Sequence, residues 1–446
     1  WQYPQAVLII MRRMFSLNMV PEMLQVKEWY VTALERNTAL SQRERDNYYG
    51  ELEVILSFLA FNSITGMSEH HRRAYKLLSG APQTLSKQGI WTFGAPSVLG
   101  LYLRTGCSLR QTVEDMQECM PPYYLLSGWH GAGAAELTEA EALLLQGRID
   151  EMDMPLQKAY YQAEKHGQEC ITICCDFLEM QRDLCRGVYS SKAEAYSRQQ
   201  WQLQPWKQSM LLNTADMCAG FYYALLGKQE YIPSWLTDGN GQQPSVLYPA
   251  RPCRNYISAQ CLLAQGQYTE LLVRWSDWEQ ECRPYSNFLC LLYLQVQRAA
   301  AFAGRGDVTS CRASLKQALA MAAADKLVLP LAQNIALLRP YLEQEAHGEY
   351  SATAAVALHL GQQLEAGRGQ ILSARFAEAG LQELTEQELQ IAELAAARHT
   401  NREIAQRLSL SEGTIKQYLN KIFAKLQIDA TAKNKRHQLE RFFPNS

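Results

Sequence analysis

Along most of this chain apolar residues recur every three or four positions. The strict alternation of a half-buried strand is rare, so the pattern predicts an all-α protein. Over residues 1–342 Ala, Leu, Gln, Glu and Met dominate, and Gly and Pro fall in short clusters. GAPQ at Gly80, CMPPYY at Cys119 and LTDGNGQQP at Leu236 read as breaks between helices. Three segments share one form, a helix, a small turn with Gly, then a second helix: residues 137–167, 256–281 and 292–327. A weaker copy surrounds residues 221–236. In each, the glycine stands where the first helix must stop and reverse. Ala318 and Ala322, four apart on one face, let two helices approach closely. One such hairpin cannot bury its apolar face alone, so neighbours must stack. The expected fold is a tetratricopeptide-like array of helical hairpins, although an irregular helical bundle shares the pattern. Either offers a groove for a peptide, a protein or a small effector. Trp29, Tyr48, Tyr49, Trp91, Tyr123, Tyr124 and Trp129 either line that groove or pack in the core, the commoner fate of aromatic side chains in helical arrays.

Between residues 343 and 380 the pattern turns polar, then Ala-rich, with Gly361, Gly367, Gly369 and Gly380. This stretch reads as a flexible linker carrying one or two short helices. It divides a helical sensor or effector domain, residues 1–342, from a small C-terminal domain, residues 381–446.

The tail predicts three short helices and two tight turns. Thr385 is placed to cap the first, and Glu388, three residues on, completes a capping box. Leu389, Ile391, Ala392 and Leu394 form its apolar side, and Arg398-His399-Thr400 makes the first turn. Thr400 or Asn401 caps the second helix, whose Ile404, Ala405 and Leu408 face inward. Leu410 plugs the core in the second turn, and Ser411 caps the third helix. There Ile415, Leu419, Ile422 and Leu426 follow at steps of four, three and four, a single buried stripe. Lys416, Gln417, Asn420 and Lys421 lie off that stripe, and such side chains pair with the edges of guanine and adenine. Thr414, at the helix start, suits a phosphate held by free backbone N–H groups, and Lys425 suits the DNA backbone. A fourth helix from Thr431 through Leu439 would close the core. A plain helical hairpin with a solvated basic face shares this periodicity.

Bulk properties bound the choice. A chain of 446 residues, 47% hydrophobic and 20% charged, is globular and too long for one ordinary core. The net charge of -2 hides a basic end: from Arg398 onward ten Lys or Arg face four Asp or Glu. Twelve cysteines occur without a C-x2-C pair, so they read as buried free thiols of a reducing, cytoplasmic compartment rather than a metal site. No apolar run approaches a membrane span. His70, His71, His130, His166, His347 and His359 have no partner at catalytic spacing, and His399 and His437 fall in the tail. Asp176 and Glu179 share a helical face near Cys175, as many surface acids do. Neither catalysis nor a cofactor is expected. The chain opens at Trp1 already inside an apolar pattern, which reads as a fragment of a longer protein.

The strings LTEQEL at Leu384, TNREIAQRLSLSEGTIK at Thr400 and LNKIFAKLQI at Leu419 are dense and specific. Residues 386–435 resemble the DNA-binding domain of the LuxR family, a tetrahelical helix-turn-helix. The resemblance implies that the helix beginning near Ser411 enters the major groove, with Glu403, Ile404, Ala405 and Leu408 in support. It implies that Thr414, Lys416, Asn420 and Lys425 contact or approach DNA, and Thr400, Asn401, Arg402, Ser411, Gln417 and Lys421 complete the expected DNA-binding set. It also implies promoter DNA as partner, a homodimer on that DNA and contact with RNA polymerase. Three departures stand out. Arg398 occupies a position usually Gly, Tyr418 replaces the usual His, and Asp429-Ala430-Thr431 lacks the usual Arg. Arg takes a left-handed backbone less cheaply than Gly, so the first turn is expected to differ slightly. Tyr418 keeps a hydroxyl able to reach a phosphate. With helical repeats ahead of this tail, the chain resembles the large MalT-like regulators, which also carry an upstream ATPase. No G-x4-G-K-S/T loop occurs here, so ATP binding is not assigned. The competing expectation is a helical-repeat protein-binding scaffold whose tail does not bind DNA.

Overall fold

The structure is a computed structural model that describes residues 4–197, 205–238, 246–376 and 384–426, together with 428, 436, 439 and 442. Among the described residues the chain is all-α, with no strand. It divides into two compact units, residues 1–182 with 190–363, and residues 183–189 with 364–446.

The first unit is made of packed helices, and its hairpins follow the glycine punctuation. Ala134–Leu145 turns back as Asp153–His166, Arg251–Ala264 as Tyr268–Cys282, and Phe288–Gly304 as Val308–Ala323. The turn glycines Gly147, Gly266 and Gly306 have φ of 76°, 70° and 76°, a left-handed backbone that only glycine adopts without strain. Past each glycine one N–H reaches back five residues. Arg148 donates to the Leu143 carbonyl, Gln267 to Leu262 and Asp307 to Phe302, each at 2.9 Å. This closure satisfies carbonyls that a helix end otherwise leaves unpaired. Small residues then set how closely the helices pack. Ala318 and Ala322 are fully buried, and a Cβ at Gly304 would lie 2.5 Å from the Tyr268 ring.

Three expectations fail in this unit. The weaker copy at residues 221–236 has no second helix. Gly227 ends the helix Pro205–Leu226, and two 3-10 turns follow, Gln229–Tyr231 and Ser234–Leu236, because Pro233 cannot continue a helical hydrogen-bond ladder. The CMPPYY cluster is not a break, for Pro121 and Pro122 sit inside the helix Leu109–Ser127. Met116, Cys119, Met120, Tyr123 and Tyr124 are buried on that helix, and their packing outweighs two lost backbone bonds. Residues 351–371 form one helix, Ser351–Ile371, rather than short pieces. Gly361 marks close packing, since a Cβ there would lie 2.7 Å from Ile335, whereas Gly369 has open space around it. The boundary expected near residue 380, like most of LTDGNGQQP, lies outside the described residues.

The aromatics singled out from sequence divide by burial. Trp91, Tyr123 and Tyr124 are buried and Tyr48 and Tyr49 half-buried, while Trp29 and Trp129 are exposed. All twelve cysteines are free, ten of them buried, with Cys185 half-buried and Cys107 exposed. Among the described residues no group of three His, Cys, Asp or Glu is placed to hold a metal, and no helix is long and apolar enough to cross a membrane. Asp176 and Glu179 are not surface acids. Both accept from the Tyr160 hydroxyl, at 2.6 and 2.8 Å, and both pair with Lys192. Tyr196 also donates to Asp176 and Arg182 to Glu179. The cluster is a part-buried ion-pair network.

Candidate nucleic-acid interface

The tail begins with two reciprocal caps. Thr385 N–H donates to Glu388 Oε2 at 2.8 Å while Glu388 N–H donates to Thr385 Oγ1 at 3.3 Å, opening the helix Glu386–Ala396. Thr400 and Glu403 repeat the arrangement, at 2.7 and 3.3 Å, and open the helix Asn401–Leu408. Ser411 Oγ accepts from the Thr414 N–H at 3.1 Å and opens the third helix, Glu412–Lys425. Each cap satisfies donors that the helix itself cannot, so the sequence sets all three starts locally.

The turns between them use non-glycine residues in the left-handed region. Arg398 has φ of 66° and Ser409 φ of 52°. Arg398 therefore holds a left-handed backbone that glycine adopts more cheaply. Beyond it the His399 N–H donates to the Leu394 carbonyl at 3.1 Å, and beyond Ser409 the Leu410 N–H donates to Ala405 at 3.0 Å. These are the same closures that end the hairpin helices of the first unit.

Ile415, Leu419, Ile422 and Leu426 are all buried, against Ile391, Ala392, Ala395, Ile404 and Ala405. Leu408 and Leu410 are half-buried on the same cluster. Leu389 is only half-buried, and Ala395 and Ala396 take the inner places of the first helix. The stripe fixes the rotation of the third helix. Lys416, Gln417, Asn420 and Lys421 are consequently exposed together on its outer face. Arg402 and Thr400 are exposed at the start of the second helix, and Ser411 at the start of the third.

Other side chains named from sequence are held by neighbours. Lys425 Nζ lies 2.5 Å from Glu388 Oε2, and the Glu388 carboxylate is buried. That bond, with the Thr385 N–H, holds the Glu388 carboxyl below its ordinary range. Asn401 Oδ1 accepts from Arg436, which also donates to the His399 carbonyl. Thr414 Oγ1 is 2.8 Å from Ser411 Oγ, so these two hydroxyls face each other. Tyr418 donates to Gln387 Oε1 at 3.0 Å rather than standing free for a phosphate. The Glu388–Lys425 pairing is not visible in a local pattern, since the two are 37 residues apart. Thr431 and the start of a fourth helix lie outside the described residues, although Leu439 is buried in the same small core.

Three capped helices around one aliphatic cluster, with a polar and basic outer face on the third, agree with one comparison. The family model GerE, bacterial regulatory proteins of the luxR family, matches residues 382–434. Residues 382–434 are a LuxR-type helix-turn-helix domain. No curated protein matches the chain. Domains of the LuxR type are non-catalytic DNA-binding modules and typically act on DNA in pairs, so this tail supports a DNA-binding regulatory role. The LuxR-type match takes in both caps, both turns and the whole third helix.

Proposed function

We propose that this chain is a transcription regulator of MalT-like design. Its LuxR-type tail binds double-stranded promoter DNA, and its helical array, tetratricopeptide-like in form, receives a small-molecule or protein signal. The domains run over residues 1–342, 343–380 and 381–446. One observation carries the reading: the third tail helix buries one aliphatic stripe and leaves Lys416, Gln417, Asn420 and Lys421 exposed together. Lys, Gln and Asn at such positions reach base edges in a major groove that admits one helix.

Arg402, Thr400 and the N-terminus of the third helix, with Ser411 and Thr414, supply phosphate contacts that set the register. Asn401 and Lys425 have partners within the domain, so their part on DNA is mainly to hold the surface in shape. One module offers few base contacts, and a homodimer on paired half-sites supplies the rest. Contact with RNA polymerase follows once the dimer sits at a promoter.

Titrating the protein onto a promoter-length duplex at two salt concentrations tests the proposal. Binding must weaken steeply as salt rises, because each phosphate contact releases counterions. A chain that ignores duplex DNA, or binds it without salt dependence, acts instead as a protein-binding scaffold.

A further inference from the structure

The first unit contains a cavity that its own residues do not fill. Its enclosed part is about 60 Å³, several times what one water needs, and it opens to solvent at a mouth. Phe58, Trp91, Tyr102 and Met120 form much of its apolar wall, and Trp91 stacks on Tyr102 with ring centroids 5.4 Å apart. Against this wall stands one cation. Arg12 lines the cavity, donates to the Thr84 carbonyl at 2.7 Å and lies 6.0 Å from the Phe58 ring centroid. It makes no ion pair among the described residues, and no carboxylate lines the cavity. Arg12 is half-buried, and a guanidinium keeps its charge under all ordinary conditions.

Two histidines share the wall without adding charge. Burial pushes His71 down to about 3 and His130 down to about 4, so both are neutral at neutral pH. Tyr123 Oη lies 2.6 Å from His130 Nδ1. With that nitrogen accepting, the proton sits on His130 Nε2. Nε2 is buried beside the Gly89 backbone and makes no well-formed hydrogen bond. Ser68 Oγ, also on the wall, is in the same condition beside Cys119. The cavity thus combines an apolar slot, a single positive charge and the polar side chains of Ser68 and His130 on its wall.

We infer that this cavity binds a small organic acid, with its carboxylate on Arg12 and a flat apolar body between the aromatic and methionine side chains. This gives a ligand class to the signal-receiving role proposed above. It rests on that role only for its consequence on transcription, because binding itself needs no DNA.

The test is direct titration of the full chain, by calorimetry and by tryptophan fluorescence, with benzoate, phenylacetate, 3-phenylpropionate and octanoate. Phenylacetamide and phenyl phosphate complete the panel. At least one acid is expected to bind saturably and raise the melting temperature, and the amide to bind at least tenfold more weakly. Arg12→Gln should cost tenfold or more in affinity, and Arg12→Lys should recover part of the loss. Met120→Trp, which fills the slot and leaves Arg12 in place, should abolish binding while the unliganded protein still melts cooperatively. Three results would overturn the inference: no saturable binding by any acid, equal binding of acid and amide, or affinity unchanged in both Arg12→Gln and Met120→Trp. Tighter binding of phenyl phosphate than of every carboxylate would overturn the assignment to a carboxylate. DNA binding is not read in any arm, so failure here is distinct from failure of the tail to bind a duplex.

Discussion

Replacing Lys425 by Ala separates what holds the tail together from what it presents. Lys425 is about a third exposed, but the Glu388 side chain it pairs with is only 6% exposed. Breaking a fully buried pair from one side costs about 3–5 kcal/mol, and an exposed pair is worth about 0–1 kcal/mol. Glu388 still accepts from the Thr385 N–H at 2.8 Å and its hydroxyl at 3.1 Å after the change, so it is not stranded. The expected cost lies between those limits, about 1–2 kcal/mol, or a roughly 5- to 30-fold rise in the population of the opened tail. Amide hydrogen exchange of the helix Glu386–Ala396 in the full chain reads this directly. Lys425→Ala should speed that exchange, Glu388→Gln should do so comparably, and the double variant should lose much less than the sum. The pH dependence has a definite sign. A carboxyl whose folded pKa is depressed stabilises the fold above its unfolded value, about 4.3, and loses that contribution as pH falls through the folded value. The parent tail should therefore lose protection in acid more steeply than Glu388→Gln. Additive single and double variants, with exchange in Lys425→Ala unchanged, would refute the pairing, and any loss of DNA affinity in that variant would then belong to a phosphate contact.

Arg398→Gly should slow exchange at the first turn by stabilising it about 0.5–1 kcal/mol, since Arg398 holds a φ of 66° that glycine adopts freely; faster exchange would show that the arginine side chain outweighs the backbone strain. Glu141 is fully buried and accepts from Ser97, Val98 and Leu99, yet burial raises it from 4.5 to about 7. The unfolded chain then loses its proton first as pH rises, so this group lowers stability progressively between about pH 4.5 and 7, by about 3 kcal/mol in all. Glu141→Gln, which cannot ionise, should flatten the change in melting temperature between pH 5 and pH 8; a slope equal to the parent's would contradict this. Arg402→Ala, at an exposed position on the second tail helix, should lower duplex affinity on every sequence and reduce the salt slope by about 1, read by titration at several salt concentrations.

Much of the tail is legible in sequence because its determinants are local. A capping box spans four residues, and the stripe from Ile415 to Leu426 spans three turns, so both read out of one short window. The hairpins of the first unit are legible for the same reason, since a glycine after an apolar helix fixes the reversal at Gly147, Gly266 and Gly306. What escapes is long-range. Pro121 and Pro122 read as a break because the packing of Met120 and Tyr123 that keeps the helix whole comes from elsewhere in the chain. Gly367 reads as a hinge, yet a Cβ there would collide with the Leu184 carbonyl. Asp176 and Glu179 read as surface acids because Tyr160 and Lys192 reach them from 13 to 19 residues away along the chain. The cavity beside Arg12 is assembled from four separated segments, and no periodicity announces it.

The central claim is that the outer face of the third tail helix reads base sequence. Duplexes recovered by the full chain from a random pool, then titrated with the parent and with a Lys416→Ala, Asn420→Ala double variant, test it most directly. The account predicts that the pool converges on paired half-sites, and that the double variant binds the recovered and scrambled duplexes nearly alike while the tail stays folded. A pool that never converges, or a double variant that keeps the parent's preference, would contradict it.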